Sequence, residues 1–346
     1  MFLKPTIIKK LEKANLIGRG CNNFSTAKKW QMVCRAKTQG DKFVICNISE
    51  SEPGVFKDRF ILENYPERVV DGIKIAMKTI HAKKGFIYLN PEYYEQFQDY
   101  LNAIIQVKLG FKTQSNIELF QKSLRDFVGG EETAVLNSMQ GKRVEPNLKP
   151  PFPTTNGFFN QPTLINNCET FYAVSLINSN KYKNEKVYSI SNWENNKYKN
   201  KKVLELPIEI TIKKVLEKFN HKPSEKYFYQ VGGGASGICL NHKQLNHKFN
   251  GLASIVIYKK DTSEKKIIMN WLDFFKNESC GQCVPCREGT YRLRNMMADY
   301  YHNNSKLDKE IFNDLVFSLQ NTSFCQVGKI STNAVLSYFK NVHPVK

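Results

Sequence analysis

No stretch of this 346-residue chain is apolar for long enough to cross a bilayer. The longest, around Leu252–Tyr258, is far shorter than the ~20 residues a spanning helix needs. The run from Met1 to Lys10 holds no apolar core of the length a secretory signal requires, so the expected location is cytoplasmic. Acidic side chains are scarce: 32 Asp and Glu stand against 51 Lys and Arg, a formal net charge of +19. Such a balance suits nucleic acid, an acidic protein or a membrane surface as partner. The lysines, however, are spread among Asn and Tyr, and no helix-turn-helix, zinc-finger or RNA-recognition signature accompanies them. A solvated, lysine-rich surface is the preferred reading, and no nucleic-acid partner is expected. None of the six histidines has metal-ligand spacing to another; His242 and His247, for example, are five apart. The nine cysteines read as reduced thiols, some free to ligate metal. A hydrophobic content of 41% excludes a disordered chain, and the length leaves room for two or three domains.

What the chain does have is concentrated near its C-terminal end. In Glu278-Ser279-Cys280-Gly281-Gln282-Cys283-Val284-Pro285-Cys286-Arg287-Glu288-Gly289, three cysteines follow a C-x2-C-x2-C pattern. A fourth, Cys325, lies in Thr322-Ser323-Phe324-Cys325-Gln326-Val327-Gly328. A [4Fe–4S] cube takes one thiolate per iron, and a tight three-cysteine loop covers three corners while a distant cysteine closes the fourth. Structural zinc is the alternative, but its four-cysteine sites usually pair two separated knuckles. Disulfides come third in a chain without an export signal.

Upstream, apolar periodicity predicts a short helix within residues 1–17, on Ile7, Ile8, Leu11 and Leu16. Strands are expected at Lys42–Cys46 and Gly85–Leu89, and helices at Leu62–Ala82, Tyr93–Val107 and from Phe127 onward. This alternation argues for a parallel sheet with covered faces. Asn180–Lys202, rich in Lys and Asn, reads as a linker. Beyond it come a helix at Ile212–Phe219 and strands at Lys226–Val231 and Ala253–Tyr258. Helices follow at Lys266–Phe275, Arg287–Tyr301, Asp308–Leu319 and Ile330–Val342. Gly232-Gly233-Gly234-Ala235-Ser236-Gly237 satisfies G-x-G-x-x-G after a strand, but Ile238–His242 does not open a convincing helix, so a nucleotide site is rejected.

The cysteine loop resembles that of the NADH-binding flavoprotein subunit of respiratory complex I, a family shared with NAD-linked hydrogenases and formate dehydrogenases. The resemblance covers nearly the whole chain from Gly18. Gly18-Arg19-Gly20, with Phe24, Thr26, Lys29 and Trp30, is similar to the family's flavin-phosphate loop, Gly-Arg-Gly-Gly-Ala-Gly-Phe-Pro-Thr-Gly. Here Cys21, Asn22, Asn23, Ser25 and Ala27 put side chains where that pattern differs. Cys46-Asn47-Ile48-Ser49-Glu50-Ser51-Glu52-Pro53-Gly54-Val55-Phe56-Lys57-Asp58-Arg59 resembles the segment that hydrogen-bonds the flavin and meets the nicotinamide, with Ser49 where the family has Asp. Gly130-Glu131-Glu132-Thr133-Ala134 resembles a segment facing flavin and NADH, although acids in a first turn are ordinarily helix-dipole partners. Lys149 and Phe152 match residues lining the NADH site, and Asn166-Asn167 matches a pair that reaches the flavin.

The resemblance therefore implies an α/β fold in three parts. Residues 1–200 would form a Rossmann-like domain binding FMN and NADH. Residues 201–262 would form a small β-grasp (SLBB-like) domain, and 263–346 a helical [4Fe–4S] domain. It implies an NADH:acceptor oxidoreductase subunit that passes electrons from NAD(H) through FMN to the cluster. Glu52 and Glu132 would be its catalytic carboxylates. Gly18, Arg19, Gly20, Phe24, Lys29, Asn47, Glu50, Ser51, Glu52, Gly130, Glu131, Glu132, Lys149, Phe152, Asn166 and Asn167 would bind cofactor, and Cys280, Cys283, Cys286 and Cys325 the metal. The implied partners are a thioredoxin-fold [2Fe–2S] subunit and a larger iron–sulfur subunit, with any membrane contact through that complex. The altered glycine loop and Ser49 keep a second function open: an electron-transfer or scaffolding subunit that retains the cluster without flavin or NADH.

Overall fold

The computed structural model describes residues 6–20, 23–109, 116–123, 126–249, 251–303 and 306–343. The chain divides into two compact units: residues 1–51 with 56–185, and residues 52–55 with 186–346.

The first unit runs α1 (Thr6–Lys13), α2 (Thr26–Arg35), β1 (Lys42–Ile48), α3 (Lys57–Asn64), α4 (Pro66–Ile80), β2 (Ala82–Leu89) and α5 (Pro91–Leu109). It continues with β3 (Ile117–Gln121), α6 (Glu132–Met139), β4 (Thr163–Asn167) and α7 (Cys168–Asn178). The four strands form one parallel sheet in the order β3-β2-β1-β4. Val44, Ile45, Cys46 and Ile48 of β1 are all fully buried. A parallel strand covered on both faces reads as such a continuous apolar run. The helix expected over Leu62–Ala82 is divided into α3 and α4, because Pro66 supplies no amide hydrogen and takes the first position of a new helix.

From β1 the chain steps outward through β2 to β3, then returns to place β4 on the other side of β1. The β1/β4 boundary is thus the point where strand order reverses, and open α/β sheets bind ligands outside the carboxyl ends of such strands. Asn47 on β1 and Asn167 on β4 lie opposite one another there.

The second unit contains β5 (Glu185–Glu194), β6 (Lys197–Pro207), α8 (Ile212–Lys218), β7 (Tyr227–Val231), β8 (Ile238–Asn241) and β9 (Ser254–Lys259). Its helices follow: α9 (Glu264–Glu278), α10 (Val284–Asn303), α11 (Lys309–Thr322), α12 (Gln326–Ile330) and α13 (Asn333–Asn341). The mixed sheet has the order β6-β5-β9-β7-β8. Asn180–Lys202, expected as a linker, contains most of a β-hairpin instead. Asn195 and Asn196, both at positive φ (52° and 59°), join β5 to β6. Two consecutive residues of that conformation make the tight turn that matches strand twist, and Asn tolerates it well.

One face of this sheet packs on α8 through Val215, Leu216, Tyr229 and Ile257. The other shares a core with the C-terminal helices, where Phe228, Val256 and Tyr258 meet Ile268, Trp271, Leu293 and Tyr338. Among the described residues, no helix is long and apolar enough to cross a membrane.

Candidate functional site

At the β1/β4 boundary the polar side chains are locked together. Asn47 donates from Nδ2 to the Gly130 carbonyl (2.8 Å) and accepts from the Ser49 amide (3.1 Å). Asn166 Oδ1 accepts the Trp30 indole N–H at 3.0 Å, tying β4 to α2. Asn167 donates to Asp58 (2.9 Å) and to the Asn47 carbonyl (3.3 Å), and its Oδ1 accepts from Lys57 Nζ at 2.8 Å. Lys57 is buried, pairing with Asp58 at 2.5 Å and Glu169 at 3.4 Å. Burial alone would lower its proton affinity, but Asp58, Glu169 and Glu50 together raise it, so it is a permanent cation. Lys57 and Asp58 lie within the segment that resembles the flavin-binding one, yet nothing in their local sequence places them opposite Asn167.

Glu50 faces inward. It accepts from the Asp58 and Arg59 amides (3.0 and 3.3 Å) at the start of α3 and from the Tyr93 hydroxyl (2.8 Å). Burial, then the neighbouring Asp58, pushes its carboxyl up to about 7. Arg19 is largely engaged internally: its amide donates to Thr170 and its Nη2 to Tyr182 and the Glu185 carbonyl, while Nη1 is buried with no hydrogen-bond partner among the described residues. These bonds anchor the glycine loop on α7 and on the segment that follows it. Gly20 stands beside Asn167, where an added Cβ would find 3.8 Å of clearance. Gly18 donates its amide to the Phe24 carbonyl across the loop (2.8 Å). Cys21 and Asn22 lie outside the described residues; Asn23 takes positive φ, 39°.

A second polar cluster opens α6. Glu131 is its N-cap, accepting from the Thr133 and Ala134 amides (2.8 and 3.0 Å), and also binds Lys149 Nζ at 2.6 Å. The dipole-partner reading therefore holds for Glu131. Glu132 bridges two cations, Lys29 of α2 at 3.0 Å and Lys149 at 2.9 Å. Burial pushes its carboxyl up, but the two ammonium groups outweigh that and hold it at about 2. A carboxylate so held exchanges no proton near neutrality, and its contribution is to orient Lys29 and Lys149. Burial opposes the charge on Lys149, yet Glu131 and Glu132 hold its proton affinity above the ordinary value. Phe24 and Phe152 expose nearly half their surface, leaving aromatic faces for a planar ligand.

Glu52 belongs to the second unit. Its Oε1 accepts from the amides of Ala235 and Ser236 (2.9 and 3.0 Å) and from the Ser236 hydroxyl (3.1 Å). The G-x-G-x-x-G turn thus receives the chain's own carboxylate, and the strand β8, not a helix, follows it. Burial raises the Glu52 carboxyl to about 7 against these three donors.

Cys280 follows α9, Cys283 and Cys286 flank the start of α10, and Cys325 caps α12. Burial raises the Cys286 thiol to about 12; its Ser279 bond opposes that, and the charges of Cys283, Cys325 and Cys280 add to it. Gly281, at φ 79°, turns the loop, and its carbonyl accepts from Arg287 at 3.0 Å. Packing against the loop is close: a Cβ on Gly328 would lie 2.2 Å from Ser323 Oγ and 3.1 Å from Cys286 Cβ. Among the described residues, no three His, Cys, Asp or Glu side chains converge as one metal ion would require. Three cysteines on one C-x2-C-x2-C loop with a fourth at the start of α12 make the donor set of a cluster ligated at its corners.

Residues 11–176 match the model of the Nuo51 FMN-binding domain, and residues 266–344 that of the NADH-ubiquinone oxidoreductase-F iron-sulfur binding region. The F subunit of the NADH-quinone oxidoreductase of Aquifex aeolicus is 31% identical over 94% of this chain and 81% of its own length. The alpha subunit of the NAD-reducing hydrogenase HoxS of Cupriavidus necator is 30% identical over 97% of this chain and 59% of its own. Among solved structures, a chain of an NAD+-reducing [NiFe]-hydrogenase in the H2-reduced state superposes with a TM-score of 0.87 at 27% identity. The match covers 98% of this chain and 61% of that one.

Proposed function

The chain belongs to the family of NADH-quinone oxidoreductase F subunits, and we propose on that premise how its own residues serve the family's chemistry. That chemistry is oxidation of NADH, with electrons delivered through FMN to a [4Fe–4S] cluster. FMN, when bound, converts a two-electron hydride into the single electrons that a cluster accepts.

The residues of the first unit fit the cofactor. Ser51 Oγ and Thr26 Oγ1 are buried and find no hydrogen-bond partner among the described residues, as groups awaiting a polar ligand would be. Thr26 opens α2, and Lys29 in its first turn brings an ammonium that suits a phosphate. Asn47, Asn166, Asn167 and Gly130 form the wall at the strand ends, with Lys57 and Trp30 fixing the two asparagines of β4. Phe24 and Phe152 offer faces for stacking. Of the two carboxylates expected at the nicotinamide, Glu132 is the one the first unit supports, as an anion that sets Lys29 and Lys149. Glu50 and Arg19 serve the site by holding its loops. In the second unit, Cys280, Cys283, Cys286 and Cys325 would carry the cluster.

The observation that carries this reading is the Asn47–Asn167 pair at the point where strand order reverses. As a member of complex I-type or hydrogenase-type assemblies, the protein works with iron–sulfur partners. We assign those roles to a thioredoxin-fold [2Fe–2S] subunit and a larger iron–sulfur subunit, on the cytoplasmic side. Anaerobic purification followed by iron, sulfide and flavin analysis tests the proposal. Four irons, four sulfides and tightly held FMN, with NADH-dependent bleaching, are expected. Iron and sulfide with no FMN uptake, even after soaking, would establish the carrier function instead.

A further inference from the structure

Lys122 is one of the most deeply buried cations of the first unit. It lies one residue past β3, where its amide continues the parallel ladder to the Leu89 carbonyl (2.8 Å), so it stands at the carboxyl edge of the sheet. Its ammonium donates to Ser49 Oγ at 2.8 Å and pairs with Asp126 Oδ1 at 2.5 Å; it also reaches the Asp126 carbonyl. Ser49 in turn donates its amide to Asn47, which donates to Gly130. Gly129 must be glycine for this arrangement, because a Cβ there would sit 2.5 Å from Lys122 Cε and 2.3 Å from Asp126 Oδ1. The lysine is therefore built into the wall formed by Asn47, Ser49 and Gly130.

A fully buried ammonium is costly unless paired. The pair here is unequal: the Lys122 side chain is 0% exposed and that of Asp126 20%. Solvent screens the anion more than the cation, so on the inner side the ammonium is the less screened charge of the pair. The side chain at position 49 is a neutral hydroxyl, so no carboxylate there cancels it.

We propose that Lys122 is a positioning residue of the flavin site that, through Ser49, biases the bound cofactor toward its reduced form. This rests on the reading of the first unit as an FMN site. Uptake of a hydride brings two electrons and one proton to the ring and leaves it one negative charge richer. A fixed positive charge beside it strengthens binding of that form over the oxidised one.

The test is the reduction potential of FMN in the full-length chain, by spectroelectrochemical titration, with dissociation constants of oxidised and reduced FMN measured alongside. Lys122→Met is expected to weaken reduced FMN about tenfold more than oxidised FMN, which lowers a two-electron potential by ~30 mV. Lys122→Arg should restore most of it. Where Lys122→Met fails to fold, Ser49→Asp serves: the new carboxylate neutralises the ammonium and should lower the potential in the same direction. A lower melting temperature with unchanged potential in both variants overturns the proposal and leaves Lys122 a structural role. Failure of the unaltered chain to bind FMN overturns the flavin reading itself, and this inference with it.

Discussion

Replacing Glu132 by Gln removes the anion that Lys29 and Lys149 share, and the structure sets the size of the effect. The carboxyl falls from an ordinary 4.5 to about 2, net of a burial cost that acts the other way. At 1.36 kcal/mol per pH unit this drop favours the ionised form by about 3 kcal/mol. The side chain is 18% exposed, so solvent screening trims the figure without cancelling it. Because the folded-state value lies below the unfolded one, the stabilisation is complete above about pH 5. It declines as pH falls through the unfolded value toward about 2, with more than half gone by about pH 3. Urea titrations of both proteins from pH 7 down to about 3.5, followed by circular dichroism, would measure it. Glu132→Gln should be less stable by up to ~3 kcal/mol at pH 7, with the gap narrowing at the acid end. Equal stability at pH 7, or a gap that widens on acidification, would refute the charge bridge.

Two further perturbations probe other joints of the molecule. Gly328→Ala forces a methyl group into Ser323 and against Cys286. Overpacking of this kind costs ~1–3 kcal/mol, and cluster content after anaerobic purification should fall. Ser323→Gly in the same chain vacates the space and should recover the cluster, whereas failure to recover would point to a cause other than the clash. Trp30→Phe leaves Asn166 Oδ1 without its buried donor. A loss of ~1–3 kcal/mol is expected, together with a weaker FMN dissociation constant in fluorescence titration. Unchanged affinity and melting temperature would show that Trp30 does not hold β4 in place.

Much of the fold could be read locally. The buried run Val44–Ile48, the apolar stripe of α4 and the cysteine spacing each carry their meaning in a few adjacent residues, because hydrophobic period and ligand spacing are short-range properties. The hairpin at β5 and β6 was hidden for the opposite reason. Its Lys and Asn content resembles that of a linker, and only the positive φ of Asn195 and Asn196 shows that the asparagines are turn residues. Glu131, Glu50 and Arg19 carried matching motifs, yet their side chains turn to backbone amides, a tyrosine and a carbonyl within the protein. A motif specifies which residue stands at a position and leaves its partner to the fold.

Sequence alone determined that this chain holds four cysteines suited to a cluster, a parallel α/β first half and a glycine loop ahead of a helix. Periodicity and covalent spacing dictate these before any long-range contact forms. Only the tertiary structure decided that Asn47 faces Asn167, that Lys57 and Trp30 hold the β4 asparagines, and that Glu132 is shared by two lysines. It also decided that Lys122 lies buried against Ser49. These partners are separated by tens to more than a hundred residues in the chain. Their meeting depends on strand order and helix packing, and the cost of burying their charges is met only once those contacts exist.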